Sequence, residues 1–115
     1  MGNTWNYRDD AGHDPTSSLI GYDVEATDGK IGSVDEESNE VGASYLVVDT
    51  GFWIFGKKVV MPASTITRID PQEEKVYLAR TKEEIKDAPE YDEKTYRDTD
   101  YQRQVGDYYG RYPTA

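Results

Sequence analysis

Ser44-Tyr45-Leu46-Val47-Val48-Asp49-Thr50 is the most β-branched run in the chain, and Leu46, Val47 and Val48 make it apolar in three consecutive positions. A strand exposed on one side alternates apolar and polar residues, so an unbroken apolar run of this length predicts a strand covered on both faces. The fold is therefore built outward from a central strand at 44–50.

Upstream, Tyr22, Val24 and Ala26 alternate with Asp23 and Glu25, and Thr27-Asp28-Gly29 follows with the Asp-Gly pair of a tight hairpin turn. The partner strand, Lys30 to Glu36, places Ile31 and Val34 three apart around Gly32. A period of two would send them to opposite faces, so a β-bulge is expected near Gly32-Ser33 to bring both inward. Ser38-Asn39-Glu40 is read as the next turn. Downstream, Lys57 to Met61 and Ile66 to Ile69 are two more strands, parted by Pro62, which has no N–H to give a ladder. Lys75 to Leu78 is the sixth. Thr81-Lys82-Glu83-Glu84 then has the form of a capping box, and Asp87-Ala88-Pro89 stops that helix after one or two turns. The expected fold class is all-β: a small antiparallel barrel of about six strands, one short helical turn after the last strand, and flexible termini.

The chain has 115 residues, which allows one domain. Residues 1–17 form a polar arm, residues 18–91 hold all of the Ile, Leu and Phe, and residues 92–115 form a charged tail with five tyrosines. The middle part is expected to fold alone. Thirteen basic residues face 23 acidic ones, a net charge of −10, with the excess negative in each part. Nucleic-acid binding depends on concentrated positive charge, so no nucleic-acid partner is expected. With no Cys there is no disulfide, thiolate site or cysteine nucleophile, and a cytoplasmic location follows as the expectation. No apolar run is long enough to span a bilayer, and the first residues lack the basic-then-apolar order of a secretory signal, so membrane insertion is not expected either.

Leu19-Ile20-Gly21, Asp28-Gly29-Lys30-Ile31-Gly32, Tyr45-Leu46-Val47-Val48-Asp49-Thr50-Gly51, Lys57-Lys58-Val59-Val60-Met61-Pro62 and Thr81 through Tyr91 occur in that order over residues 18–91. Together they resemble the PRC-barrel domain, a family named after the cytoplasmic part of the photosynthetic reaction-centre H subunit and found also in a bacterial ribosome-maturation factor. The stand-alone bacterial form, linked to stress responses, is the variant resembled most. The resemblance implies a small β-barrel used for binding or assembly through protein–protein contacts, with no catalytic residues and no cofactor. An anchor like that of the H subunit and a preceding RNA-maturation domain are both missing, so neither of those roles is expected.

Other residues offer chemistry of their own. Asp35-Glu36-Glu37 with Glu40 offers clustered carboxylates for a divalent cation, which would make the chain a cation-dependent ligand-binding protein or enzyme. A solvated turn is the plainer reading, and no metal ligand is assigned. His13 beside Thr16, Ser17 and Ser18 has the parts of a nucleophile and base without a rigid frame to hold them. Phe52-Trp53-Ile54-Phe55, between Gly51 and Gly56, is four large apolar residues where turn residues belong. They either plug a barrel end or form a contact patch, and a homodimer using Phe52, Trp53 and Phe55 is the interaction expected. Tyr91, Tyr96 and Tyr101 are the other candidate contact residues, because Tyr offers an apolar ring with a polar tip at low entropic cost.

Overall fold

The structure, a computed structural model, describes residues 7, 12, 18–40, 43–51, 58–89, 91–92 and 94–111. Its strands are β1 (Asp23–Ala26), β2 (Gly29–Glu40), β3 (Ala43–Asp49), β4 (Lys58–Pro62), β5 (Ile66–Asp70) and β6 (Lys75–Leu78). A 3₁₀ turn at Ala63–Thr65 links β4 to β5, and two helices follow, α1 (Lys82–Lys86) and α2 (Thr99–Gly110). All six strands join one sheet in the order β4-β3-β2-β1-β6-β5. β3 lies between β2 and β4, and Leu46, Val47 and Val48 are fully buried, as the unbroken apolar run requires.

This sheet cannot be flat. β4 and β5 are its two edges, which five interstrand gaps would hold about 24 Å apart in a plane. Only Ala63–Thr65 joins them, and three residues reach about 10 Å. The sheet therefore curls until one edge meets the other, although no strand ladder joins β4 to β5 among the described residues. The result is a barrel-like, open sheet, in agreement with the expected all-β class.

One pairing differs from the antiparallel expectation: β1 and β6 run parallel, with Asp23 opposite Lys75 and Val24 opposite Val76. The cause is the corner at Pro62-Ala63-Ser64-Thr65. A hairpin there would reverse the chain, whereas this turn carries it from one edge to the other without reversal, so the direction of β5 and β6 is inverted relative to a simple meander. Thr65 Oγ1 donates to the Pro62 carbonyl at 2.6 Å and closes the corner.

The bulge expected near Gly32 is present. Val24 pairs with Gly32 and Glu25 with Lys30, leaving Ile31 as the extra residue, so Ile31 and Val34 both face inward and are both buried. Gly32 is a site of close backbone approach, since a Cβ there would lie 2.0 Å from the Asp49 carbonyl oxygen and 2.9 Å from Thr50 Cα. A second bulge makes Asp35 the extra residue between Val34 and Glu36. β2 does not end at Glu36; it runs on to Glu40, so the acidic stretch expected in a turn lies in a strand.

The capping box of α1 is complete: Thr81 Oγ1 accepts from Glu84 N at 3.2 Å and Glu84 Oε1 accepts from Thr81 N at 2.8 Å. The C-terminal segment departs from the expected flexible tail. α2 packs against β4 and buries Tyr101, Val105 and Tyr109, which at four-residue spacing form one helical face. The hydroxyl of Tyr109 donates to Met61 Sδ at 3.5 Å, and that of Tyr108 to the Glu84 carbonyl. With Tyr96, these residues belong to the same apolar cluster as Leu46 and Val47, so the core continues past the boundary placed at residue 91.

Candidate functional site

Where the segment after α1 crosses the sheet, Glu36, Lys58, Tyr91, Lys94, Tyr96 and Arg97 line an open cleft of about 430 Å³. The bulge in β2 sets its floor. Asp35, the extra residue, reaches across β3 to Lys58 of β4, with Nζ 2.8 Å from Oδ2. That hydrogen bond raises the pKa of Lys58 and holds the ammonium charged. Glu36, the next residue, lines the same cleft: its Oε1 accepts from the Tyr96 hydroxyl at 3.0 Å and lies 3.4 Å from an Arg97 guanidinium nitrogen.

Tyr96 is the hinge of the site. Its ring is buried against Tyr45, edge-on at 6.5 Å, and against Tyr91 at 4.9 Å, tilted by 37°. Its hydroxyl donates to Glu36 while accepting from Arg97 Nε at 2.8 Å, and this bond is the main reason the Arg97 pKa is raised. Arg97 also lies over the Tyr96 ring at 5.1 Å. A short turn delivers these groups: Asp92 Oδ1 accepts from Lys94 N at 2.8 Å, and the Asp92 carbonyl accepts from Tyr96 N at 2.8 Å. Lys94 is thereby placed, exposed, on the rim. Burial on the sheet pushes the pKa of Tyr45 up as well.

Of the sequence candidates, Tyr91 and Tyr96 meet in this cleft. Tyr101 does not; it is 8 % exposed on the inner face of α2, its hydroxyl donates to the Pro89 carbonyl at 3.2 Å, and burial pushes its pKa up to about 12. Phe52, Trp53 and Phe55 lie outside the described residues, as does His13. The acidic residues do not share a partner, since each described one is engaged separately. Asp35 goes to Lys58, Glu36 to Tyr96 and Arg97, and Glu37 Oε1 to the backbone N–H of Leu19 at 3.1 Å. Among the described residues no three metal-ligating side chains gather; the side chain of Glu40, the fourth carboxylate considered, lies outside them.

Sequence reading missed Lys58, Lys94 and Arg97. Each looked like an ordinary surface cation in an acidic chain. The available signal was local: Lys94 and Arg97 flank Tyr96 in a segment otherwise read as a tail, and cations interleaved with rings mark a surface that touches something.

No family model matches this sequence, and no curated protein does. Among solved structures, the chain is similar to one assigned as the 16S ribosomal RNA processing protein RimM of Pseudomonas aeruginosa, at 15% identity and a TM-score of 0.46. The likeness covers 56% of this chain and 43% of that one, so the matched part spans less than half of the other chain's length. Similarity at that level carries no weight about activity. No helix among the described residues is long and apolar enough to cross a membrane.

Proposed function

We propose that this chain is a non-catalytic binding or assembly module of the PRC-barrel type that acts through protein–protein contacts, with the cleft at Tyr91, Lys94, Tyr96 and Arg97 as its contact face. The observation that carries this reading is the construction of the cleft. Its lining is one carboxylate, three cations and two phenols, and the Glu36, Tyr96 and Arg97 groups are tied to one another. Such a surface is rigid, amphipathic and charged, which suits recognition. Acid–base or nucleophilic catalysis asks instead for a base held against a nucleophile with a perturbed proton affinity suited to transfer. Lys58 and Arg97 are shifted the other way, toward permanent charge.

The stand-alone PRC-barrel resemblance agrees with this reading, and a cytoplasmic location and a homodimer built on Phe52, Trp53 and Phe55 belong to the same proposal. A photo-crosslinking residue at position 94 tests it, with position 73 in the β5–β6 turn as control. A discrete protein adduct from position 94 that is absent from position 73 is the expected result. Equal labelling from both positions, or none from either, contradicts the assignment of this face.

A further inference from the structure

We propose that the N-terminal arm is a strap over the open edge of β5, anchored by Tyr7 and seated at Gly12 on the Ile69 main chain, and that it keeps this edge from pairing with a second copy of the chain. β5 is bonded to β6 alone. The register shows which of its polar groups are left over. Ala79 N donates to the Thr65 carbonyl at 2.8 Å, and a bulge leaves Thr67 as the extra residue before Arg68 meets Tyr77. Antiparallel pairs alternate between bonded and unbonded, so Ile69, opposite Val76, turns its N–H and C=O away from β6. The corner at Ala63–Thr65 brings only the start of β5 to β4, and Ile69 lies three residues, about 10 Å, beyond Ile66. Unpaired strand groups of this kind are a template for another chain. β4, the other edge, has α2 packed against it, so β5 is the edge a second copy would use. Two β5 edges paired antiparallel about a two-fold axis would satisfy each other.

Gly12 stands at that point. Its φ is +82°, and a Cβ built on it would lie 3.5 Å from the Ile69 carbonyl oxygen. Gly12 is not in a strand, so it covers the edge without extending the ladder. The arm is held on both sides of it. Leu19, at its root, is buried, and Tyr7 packs against the apolar cluster with its hydroxyl buried near Glu37. Burial first, and the charge of Glu37 second, raise the Tyr7 pKa and keep the phenol neutral. Glu37 Oε1 accepts from Leu19 N at 3.1 Å, so one carboxylate serves both ends of the strap. The five residues from Tyr7 to Gly12 reach at most about 18 Å, which keeps Gly12 close to its seat while Tyr7 stays in place. A tethered cover of this kind competes with a free strand at high local concentration.

The chain has no Cys, so a nitroxide placed through Ala11→Cys in the full chain reports on the strap alone. In the NMR spectrum of that protein the amide signals of Arg68, Ile69 and Asp70 are broadened, and a mixture of nitroxide-labelled with isotope-labelled, nitroxide-free chains shows no such effect. Broadening confined to the sequence neighbours of position 11, or present in the mixture, overturns the intramolecular strap. Tyr7→Ala removes the anchoring ring and speeds hydrogen exchange at the Ile69 amide by about tenfold, with the buried Val47 amide unchanged. Gly12→Pro fixes φ at about −65°, which forbids the +82° of this seat, and has the same effect without touching the core. Both variants gain mass with concentration in light scattering, and do so in a Trp53→Ser background as well, which separates this contact from the homodimer proposed above. Equal acceleration at Ile69 and Val47 in Gly12→Pro, or a mass that stays at the wild-type value in both variants, overturns the proposal.

Discussion

Replacing Gly32 by Ala adds one methyl group where the backbone of β2 lies tight against Asp49 and Thr50. Its Cβ would stand 2.0 Å from the Asp49 carbonyl oxygen, 2.8 Å from the Asp49 carbonyl carbon and 2.9 Å from Thr50 Cα. Carbon–oxygen contacts between strands settle at about 3.3–3.6 Å, so the backbone of β3 must retreat by more than about 1 Å. No rotamer relieves this, because every atom met is main chain. The displaced strand is the most buried one, flanked on both sides by ladders to β2 and β4. Overpacking costs about 1–3 kcal/mol in general, and a backbone obstacle in a central strand places this substitution near about 3 kcal/mol. For a domain of this size that is a fall in Tm of about 12 °C, and a large share of the total stability. Ser33→Ala, one residue along, adds no atoms and should stay within about 0.5 kcal/mol. Thermal and urea unfolding of both variants by circular dichroism measure the difference. A Gly32→Ala protein that melts within about 2 °C of wild type would refute the close approach of the two backbones at Gly32.

Val105→Ala removes buried methyl groups from the α2 face against β4 and should lower stability by about 2 kcal/mol in urea unfolding; an unchanged midpoint would mean that the helix is not part of the core. Raising pH should destabilise the protein: the folded-state pKa of Tyr101 is raised to about 12 from 10.0, so the unfolded chain loses the proton first. Stability is intact below about pH 10 and declines through about pH 12, by about 2–3 kcal/mol from this residue, with buried Tyr45 shifted in the same direction. Tyrosinate absorbance should accordingly rise in step with unfolding, and Tyr101→Phe should flatten the pH dependence in this range. Trp53→Ser should lower the mass seen by light scattering to that of a folded monomer; a wild type that is monomeric at its highest concentration removes the homodimer from the proposal.

Much of the sheet was legible from local chemistry. The apolar run at 46–48 marked the buried strand, and the three-residue step from Ile31 to Val34 demanded the bulge that Ile31 supplies. Thr81 and Glu84 announced the cap that both side chains make. What escaped was either long-range or hidden by composition. The parallel pairing of β1 and β6 depends on whether the chain reverses after Pro62, although the lack of a Gly or Asn pair in Ala63-Ser64-Thr65 was a sign that it does not. α2 was obscured because Tyr91, Tyr96 and Tyr101 are five apart and suggest no helix, whereas counting from Tyr101 gives Val105 and Tyr109 on one face. The length of β2 was misjudged because Asp35, Glu36 and Glu37 read as solvent-loving turn residues. In the fold each finds a different partner, and two of those partners, Lys58 and Arg97, are 23 and 61 residues away in sequence. The cleft is therefore a product of the tail's return to the sheet; the cations flanking Tyr96 hint at a contact, but no local pattern says where the segment lands.

That return is tested most directly by contacts between side-chain protons in the NMR spectra of the labelled protein. The account predicts nuclear Overhauser contacts between the Tyr96 and Tyr45 rings and between the Tyr109 ring and the Met61 methyl group. Absence of both contacts, with residues 94–111 giving the narrow lines of a free tail, would contradict it.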